Sequence, residues 1–402
     1  MTDRSATPPI LIVGAGLGGL SAALALLRRG FDVEIFEQAS KLGEVGAGVQ
    51  ISSNGTRVLY ELGVGQELEK LAFTPAGKEV RLWNTGQTWK LFDLGTIAIE
   101  RFGSPYFTLH RADLHRVLAD AVLRMKPNAV HLSSSCVGLE QDADGVRLKL
   151  QTGEEVVGAA LIGADGVHSR VREILFGDDE ATFSGVMSWR GVVPMEQLPD
   201  RLRRSFGVNW IGSGGHVVHY PLRGGELMNF NACVERPDWQ VESWTMRGTT
   251  EECRNDFKGW HDDVHALFSC VPNPHKWALF HRRPLERWTV GRVTLLGDAC
   301  HSMMPYLAQG AVMALEDGLV LARALEQSDG AVEEGLARYE EARRERTHRV
   351  VERSAENVIR FHNPRLADPT GAVEYVEQEW SGARISDRYD WLFTYNAGAV
   401  EL

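Results

Sequence analysis

The stretch "ILIVGAGLGGLSAALALLRRGFDVEIFE", residues 10–37, reads as a strand, a glycine turn, a helix and a second strand. Ile10 to Val13 are apolar and mostly β-branched, the composition of a strand covered on both faces. Gly14, Gly16 and Gly19 then fall in the G-x-G-x-x-G spacing. The first glycine permits a tight turn, the second lets a pyrophosphate approach the backbone, and the third lets helix and strand pack closely. The helix is expected to run to Arg29 and stop at Gly30, and "DVEIFE" supplies the second strand. Glu37 ends it, 23 positions after Gly14, where a carboxylate can accept hydrogen bonds from ribose hydroxyls. An acid there favours a ribose without a 2'-phosphate, hence FAD or NAD over NADP.

Pro8 to Leu27 contains no charged residue and is long enough to span a membrane. The glycine cluster, the β-type residues before it and the missing basic leader argue against a span or a signal peptide. The chain has 402 residues, 44% hydrophobic and 24% charged, enough for two or three domains of ordinary globular composition. A net charge of -11 opposes binding to a phosphate backbone, so no nucleic-acid partner is expected. The run "EEARRERTHRVVER", residues 340–353, mixes both signs and reads as a solvated helix face. Five cysteines without a C-x-x-C pair argue against a disulfide framework or a zinc site and fit a reducing cytoplasm.

Two later segments bear on the choice of dinucleotide. "LIGADGVHSRVRE", residues 161–173, places Asp165-Gly166 after a strand. "GDACHSMMPYLAQGA", residues 297–311, follows the apolar run "RVTLL", sets Asp298 at the strand's end, passes through a proline-containing loop and opens a helix at Gln309-Gly310. Between Asp298 and Gly310 nothing resembles a catalytic triad or a metal site, which leaves the hard chemistry to a cofactor.

The three motifs in this order resemble those of the class A flavoprotein aromatic hydroxylases, whose members include para-hydroxybenzoate hydroxylase, and the resemblance runs from about Ile10 to the C-terminus. It implies an α/β fold: a Rossmann-like FAD-binding domain of the para-hydroxybenzoate hydroxylase type, an inserted β-sheet substrate domain and C-terminal helices. It also implies bound FAD, NADH or NADPH as transient reductant, and O2. Asp298 would meet ribityl hydroxyls, and Gly310 and Ala311 would aim N–H groups at the flavin edge where negative charge gathers on reduction. Arg111, Gln50 and Asp165 match cofactor-contacting positions, while Ser53 and Ser302 stand where relatives often carry proline. Only one full G-x-G-x-x-G is present, because "GSGG" at 212–215 lacks the spacing; the reductant therefore has no Rossmann domain of its own.

Residues 1–76, 95–181 and 282–330 are expected to form the FAD domain. Residues 77–94, two alternating runs around Asn84-Thr85-Gly86, and the strand-rich block 182–281 form the substrate domain. Residues 331–402 are helical, and the aromatic ending "RYDWLFTYNA" is expected to pack back on the body. In "GGHVVHYPLRGG" strand alternation puts His216, Val218 and Tyr220 on one face and Val217, His219 and Pro221 on the other. Periodicity leaves the active face open.

The resemblance favours His216 as the base that ionises a phenolic substrate for attack by a flavin C4a-hydroperoxide, with Tyr220 and Tyr306 beside the substrate and His301 structural. Arg190 and Arg223 are candidates for a substrate carboxylate by charge alone. The function implied is hydroxylation of a monohydroxylated aromatic carboxylate of the salicylate or 3-hydroxybenzoate type by a cytoplasmic monomer or homodimer, with no membrane partner. A 6-hydroxynicotinate-type ring is the nearest alternative, and a non-catalytic flavin-binding redox sensor is the alternative of another class. The W-x-W-x-I-P segment of flavin halogenases is absent.

Overall fold

The computed structural model describes residues 8–43, 47–177, 181–239, 241 and 246–402. Residues 44–46, inside the glycine-rich segment before Gln50, thus lie outside the described residues. Among the described residues, six strands form a sheet in the order Thr289–Val290, Val293–Leu295, Ala160–Gly163, Ile10–Val13, Val33–Phe36 and Val130–His131. All its neighbours run parallel except the first pair. Ile10 to Val13 are all buried, as their apolar run requires. The helix Leu17–Leu27 packs on this sheet and ends two residues earlier than the sequence suggests, because the Arg28 and Arg29 amides already close the final turns onto Leu24 and Leu26.

A seven-stranded sheet is ordered His275–His281, Thr182–Pro194, Leu227–Glu235, Gly215–Leu222, Phe206–Gly212, Gly77–Leu82 and Thr88–Asp93. The runs flanking Asn84 to Gly86 therefore do pair as a hairpin. One face carries Trp189, Trp210 and Phe230 against Phe257, which caps the helix Thr250–Asp256, and Phe268 of the helix Asp262–Ser269. The strand-rich block thus contains two helices, which this apolar face needs as its cover. The other face carries Val80, Leu82, Ile211 and Cys233 and meets Phe361, Tyr375 and Trp380 from the C-terminal helices. The terminal aromatics pack inward: Phe393 stands edge-on to Phe92, Phe102 and Tyr106. No helix among the described residues is long and apolar enough to cross a membrane.

Candidate active site

The three fingerprint glycines meet different surroundings. Gly14 turns the chain at φ +103°, and a Cβ there would lie 2.4 Å from the Ala164 carbonyl oxygen; at Gly19 it would lie 2.0 Å from the Gly14 oxygen. Nothing stands within 4 Å of a Cβ built at Gly16. Gly16 caps the helix Leu17–Leu27 without a side-chain cap or an acid in the first turn, so its N-terminal donors suit an anion. Glu37 accepts hydrogen bonds from the Ala15 and Ala39 amides (2.8 and 2.9 Å). With Gly14, Gly16, Arg111, Asp165 and Asp298 it lines a cavity of about 870 Å3.

Asp298 begins a short helix, Asp298–His301, rather than standing in a loop. Gly297 at φ +65° reverses the chain and lets an acid sit in the first turn, where the helix dipole favours it. Asp298 lines both the large cavity and an adjoining one of about 320 Å3, whose wall includes Gln50, Gly310 and Ala311. A Cβ on Gly310 would lie 4.0 Å from Asp298 Oδ1, so the start of the helix Gly310–Gln327 and this carboxylate share one corner. Gln50 Oε1 accepts the Tyr106 hydroxyl (2.9 Å). Asp165 also reaches the cavity, but its carboxylate accepts the Ser169 hydroxyl and the Arg170 and Val171 amides, which fastens the next helix. Two adjoining cavities, an uncapped helix start at each and an acid near each ribose-type position are a donor set that fits FAD.

The sheet settles which histidine faces the site. His216, Val218 and Tyr220 line the smaller cavity, whereas Val217 belongs to the opposite core. His219 is buried without a partner for either nitrogen among the described residues, and burial, then Arg81 and Arg204, lowers it to about 3. His216 is bonded through Nδ1 to His362 Nε2 (2.7 Å), and His362 Nδ1 meets Glu235 Oε1 (3.0 Å). Glu235 can only accept, so His362 carries its proton on Nδ1 and takes one from His216 Nδ1; this assigns a lone pair to His216 Nε2. Burial, helped by His362, holds His216 well below the usual imidazole value, so it rests neutral. Tyr306 stands edge-on to His216 at 5.4 Å, and its hydroxyl is buried without a partner among the described residues. Burial also raises the Tyr220 phenol, against Arg190.

Sequence reasoning passed over His362 and Glu235, and it misread the mixed-sign run. Arg343 within that run is fully buried and pairs with Glu316 and Asp317 at 2.7 Å each. The solvated-face reading fails here because the helix Val332–Phe361 packs on Gly310–Gln327, whose two adjacent acids need cations. Asp317 also accepts His301 Nε2 (2.6 Å) and the Gly297 amide (3.1 Å), so it braces the turn before Asp298. Burial opposes the charge on His301, but Cys300 and Asp317 hold it well above the ordinary value; Asp317, despite burial, is lowered to about 2 by His301 and Arg343. Asp317→Asn should destabilise the protein by about 3–5 kcal/mol in urea unfolding, since it leaves buried cations uncompensated. In the native protein the stabilisation from Asp317 is full above about pH 4 and fades as pH falls towards 2. Arg223 is a surface partner of Asp113 and lies outside both cavities, which removes it as a carboxylate ligand. Arg190 lines both, stacked 3.4 Å over Trp277.

Residues 7–354 match a family model described as FAD binding domain. The chain is 37% identical over 398 residues to 3-amino-4-hydroxybenzoate 2-monooxygenase PtnB3 of Streptomyces platensis, covering 98% of this chain and 97% of the relative. It is 36% identical over 403 residues to 3-hydroxybenzoate 6-hydroxylase of Polaromonas naphthalenivorans, covering 99% and 98%. The crystal structure of Klebsiella pneumoniae HpxO complexed with FAD and uric acid superposes with a TM-score of 0.83 at 26% identity, covering 96% of this chain and 98% of that one.

Proposed function

The chain belongs to the FAD-binding class A aromatic hydroxylase family, and from that premise we propose that it hydroxylates a monohydroxylated aromatic carboxylate of the hydroxybenzoate type. It is an FAD-dependent aromatic monooxygenase with the para-hydroxybenzoate hydroxylase-like α/β fold, and the reductant of the family is NAD(P)H. The observation that carries the finer reading is the chain His216, His362, Glu235, which joins the inner end of the smaller cavity to the surface.

In this reading residues 1–76, 95–181 and 282–330 hold the cofactor, 77–94 and 182–281 carry the substrate sheet, and 331–402 brace both. Gly16 and the start of its helix hold the pyrophosphate, Glu37 the ribose and Asp298 the ribityl chain. Gly310 and Ala311 offer amides to the ring edge, with Gln50 and Arg111 beside them, and Asp165 keeps its loop in shape. FAD, when bound and reduced by NAD(P)H, would activate O2, one atom of which goes to the ring while the other leaves as water. His216 Nε2 accepts the phenolic proton and Nδ1 passes one to His362, whose own proton moves to Glu235; an ionised phenol is the more nucleophilic ring. Tyr220 and Tyr306 wall the substrate, and the buried Tyr306 hydroxyl is free to donate to it.

The test is oxygen and NAD(P)H consumption by the purified protein with salicylate, 3-hydroxybenzoate, 4-hydroxybenzoate, 3-amino-4-hydroxybenzoate and 6-hydroxynicotinate, scoring product and hydrogen peroxide separately. Coupled turnover on a hydroxybenzoate is the expected result. Coupled turnover confined to 6-hydroxynicotinate, or oxidation that no aromatic acid stimulates, would overturn the proposal.

A further inference from the structure

The smaller cavity contains a cation that none of these roles uses. Lys78 lies on the strand Gly77–Leu82, opposite Gly207 on one side and Phe92 on the other. Gly207 has no side chain, and a Cβ there would stand 3.5 Å from Lys78 Cγ and 3.9 Å from Tyr220 Cβ. That gap leaves Lys78 and Tyr220 side by side on the cavity floor. Lys78 Nζ sits 4.9 Å from the centroid of the Tyr106 ring and 5.9 Å from that of Phe92, and no carboxylate among the described residues pairs with it. Lys78 is half-buried and lines the cavity, and burial pushes its ammonium down to about 7.

The contrast with the buried arginines is sharp. Arg343 has two carboxylates, and Arg81, three residues along the same strand and on the opposite face, has Glu79 at 2.8 Å. A buried ammonium without an anion is unfavourable, and aromatic faces compensate only in part. His216 stands at the other end of the same floor, in the row of Ile211 and Leu82, two strands over and four residues along.

We propose that Lys78 is the receptor for the acidic substituent of the aromatic substrate, its ammonium meeting a carboxylate while His216 meets the phenol at the far end. The assignment rests on the hydroxylase reading above and gives it a selectivity rule: one ring, ionisable hydroxyl at one end, anion at the other. Arg190 is the weaker candidate, since its guanidinium is spread flat on Trp277. The groups facing Lys78 from the surrounding elements are the Tyr106, Tyr220 and Tyr389 phenols, all raised by burial and so neutral, the Gln50 amide, and Arg190, lowered by burial to about 9. Lys78 is therefore the group that titrates near neutrality, and carboxylate affinity should hold below about pH 7 and fall above it.

Calorimetric binding to the purified holoprotein tests this, using the five acids named above, each against its carboxamide. Below about pH 7 the wild type should prefer at least one acid over its amide by roughly 30-fold or more, as expected for a desolvated charge pair. Lys78→Met should bring that ratio to within about threefold, leave amide affinity and FAD content unchanged, abolish the pH dependence and not lower the melting temperature. Lys78→Arg should keep the preference. A Met variant that retains the preference, or a wild type that binds acid and amide equally, overturns the assignment while leaving the hydroxylase reading intact. A wild type that binds neither class overturns both.

Discussion

Gly16→Ala gives a folded protein that purifies without FAD, whereas Gly14→Ala and Gly19→Ala are impaired in folding itself. The difference follows from what a methyl group would meet. At Gly14 it would press on a carbonyl oxygen at 2.4 Å in a positive-φ turn, and at Gly19 on another at 2.0 Å, so strand, turn and helix could not all keep their places. At Gly16 there is open space, and the methyl would occupy the volume a phosphate needs to reach the helix amides. An overpacking cost of about 3 kcal/mol corresponds to roughly a 100-fold weaker affinity. Thermal unfolding of the apoproteins together with flavin absorbance after purification separates the two classes. A fully flavinated Gly16→Ala would move the phosphate site elsewhere.

His216→Ala should lower coupled hydroxylation by roughly 10²- to 10⁴-fold, the range for loss of a positioned general base, while FAD content stays normal and NAD(P)H oxidation yields hydrogen peroxide. The pH profile carries the stronger signature. His216 is held far below neutrality by burial, so the native enzyme has its base ready across the neutral range. In the variant the phenol must ionise unaided, and the residual rate should climb with pH towards about 10, the ordinary phenol value. Oxygen uptake with and without catalase, measured across pH, decides the matter; coupled turnover of native size and shape would remove His216 as the base.

How much of this was legible in the sequence depended on the range of the constraint. The dinucleotide fingerprint, the Asp165 and Asp298 motifs and the hairpin at Asn84 to Gly86 are local: each is a turn or helix start whose demands fall on neighbouring residues. The His216 partner lies 146 residues away, capping the end of a helix that by pattern is only amphipathic, and Glu235 is a surface acid like many others. Lys78 reads as an ordinary strand lysine until Gly207 is known to face it. One signal was available and passed over. Glu316-Asp317 interrupts an otherwise apolar helix, and adjacent acids on a buried face require cations, which Arg343, Arg346 and His301 provide.

Glu235 ends the histidine chain with its side chain 55% exposed, while His216 and His362 are sealed from water. In the proposed reading a proton taken up at His216 therefore has its own way out, through two imidazole rings. A charge can be handed outward along nitrogen atoms without a column of water entering. In that reading the proton given up by the ring would be released at a surface carboxylate instead of staying beside the ring that is to be attacked.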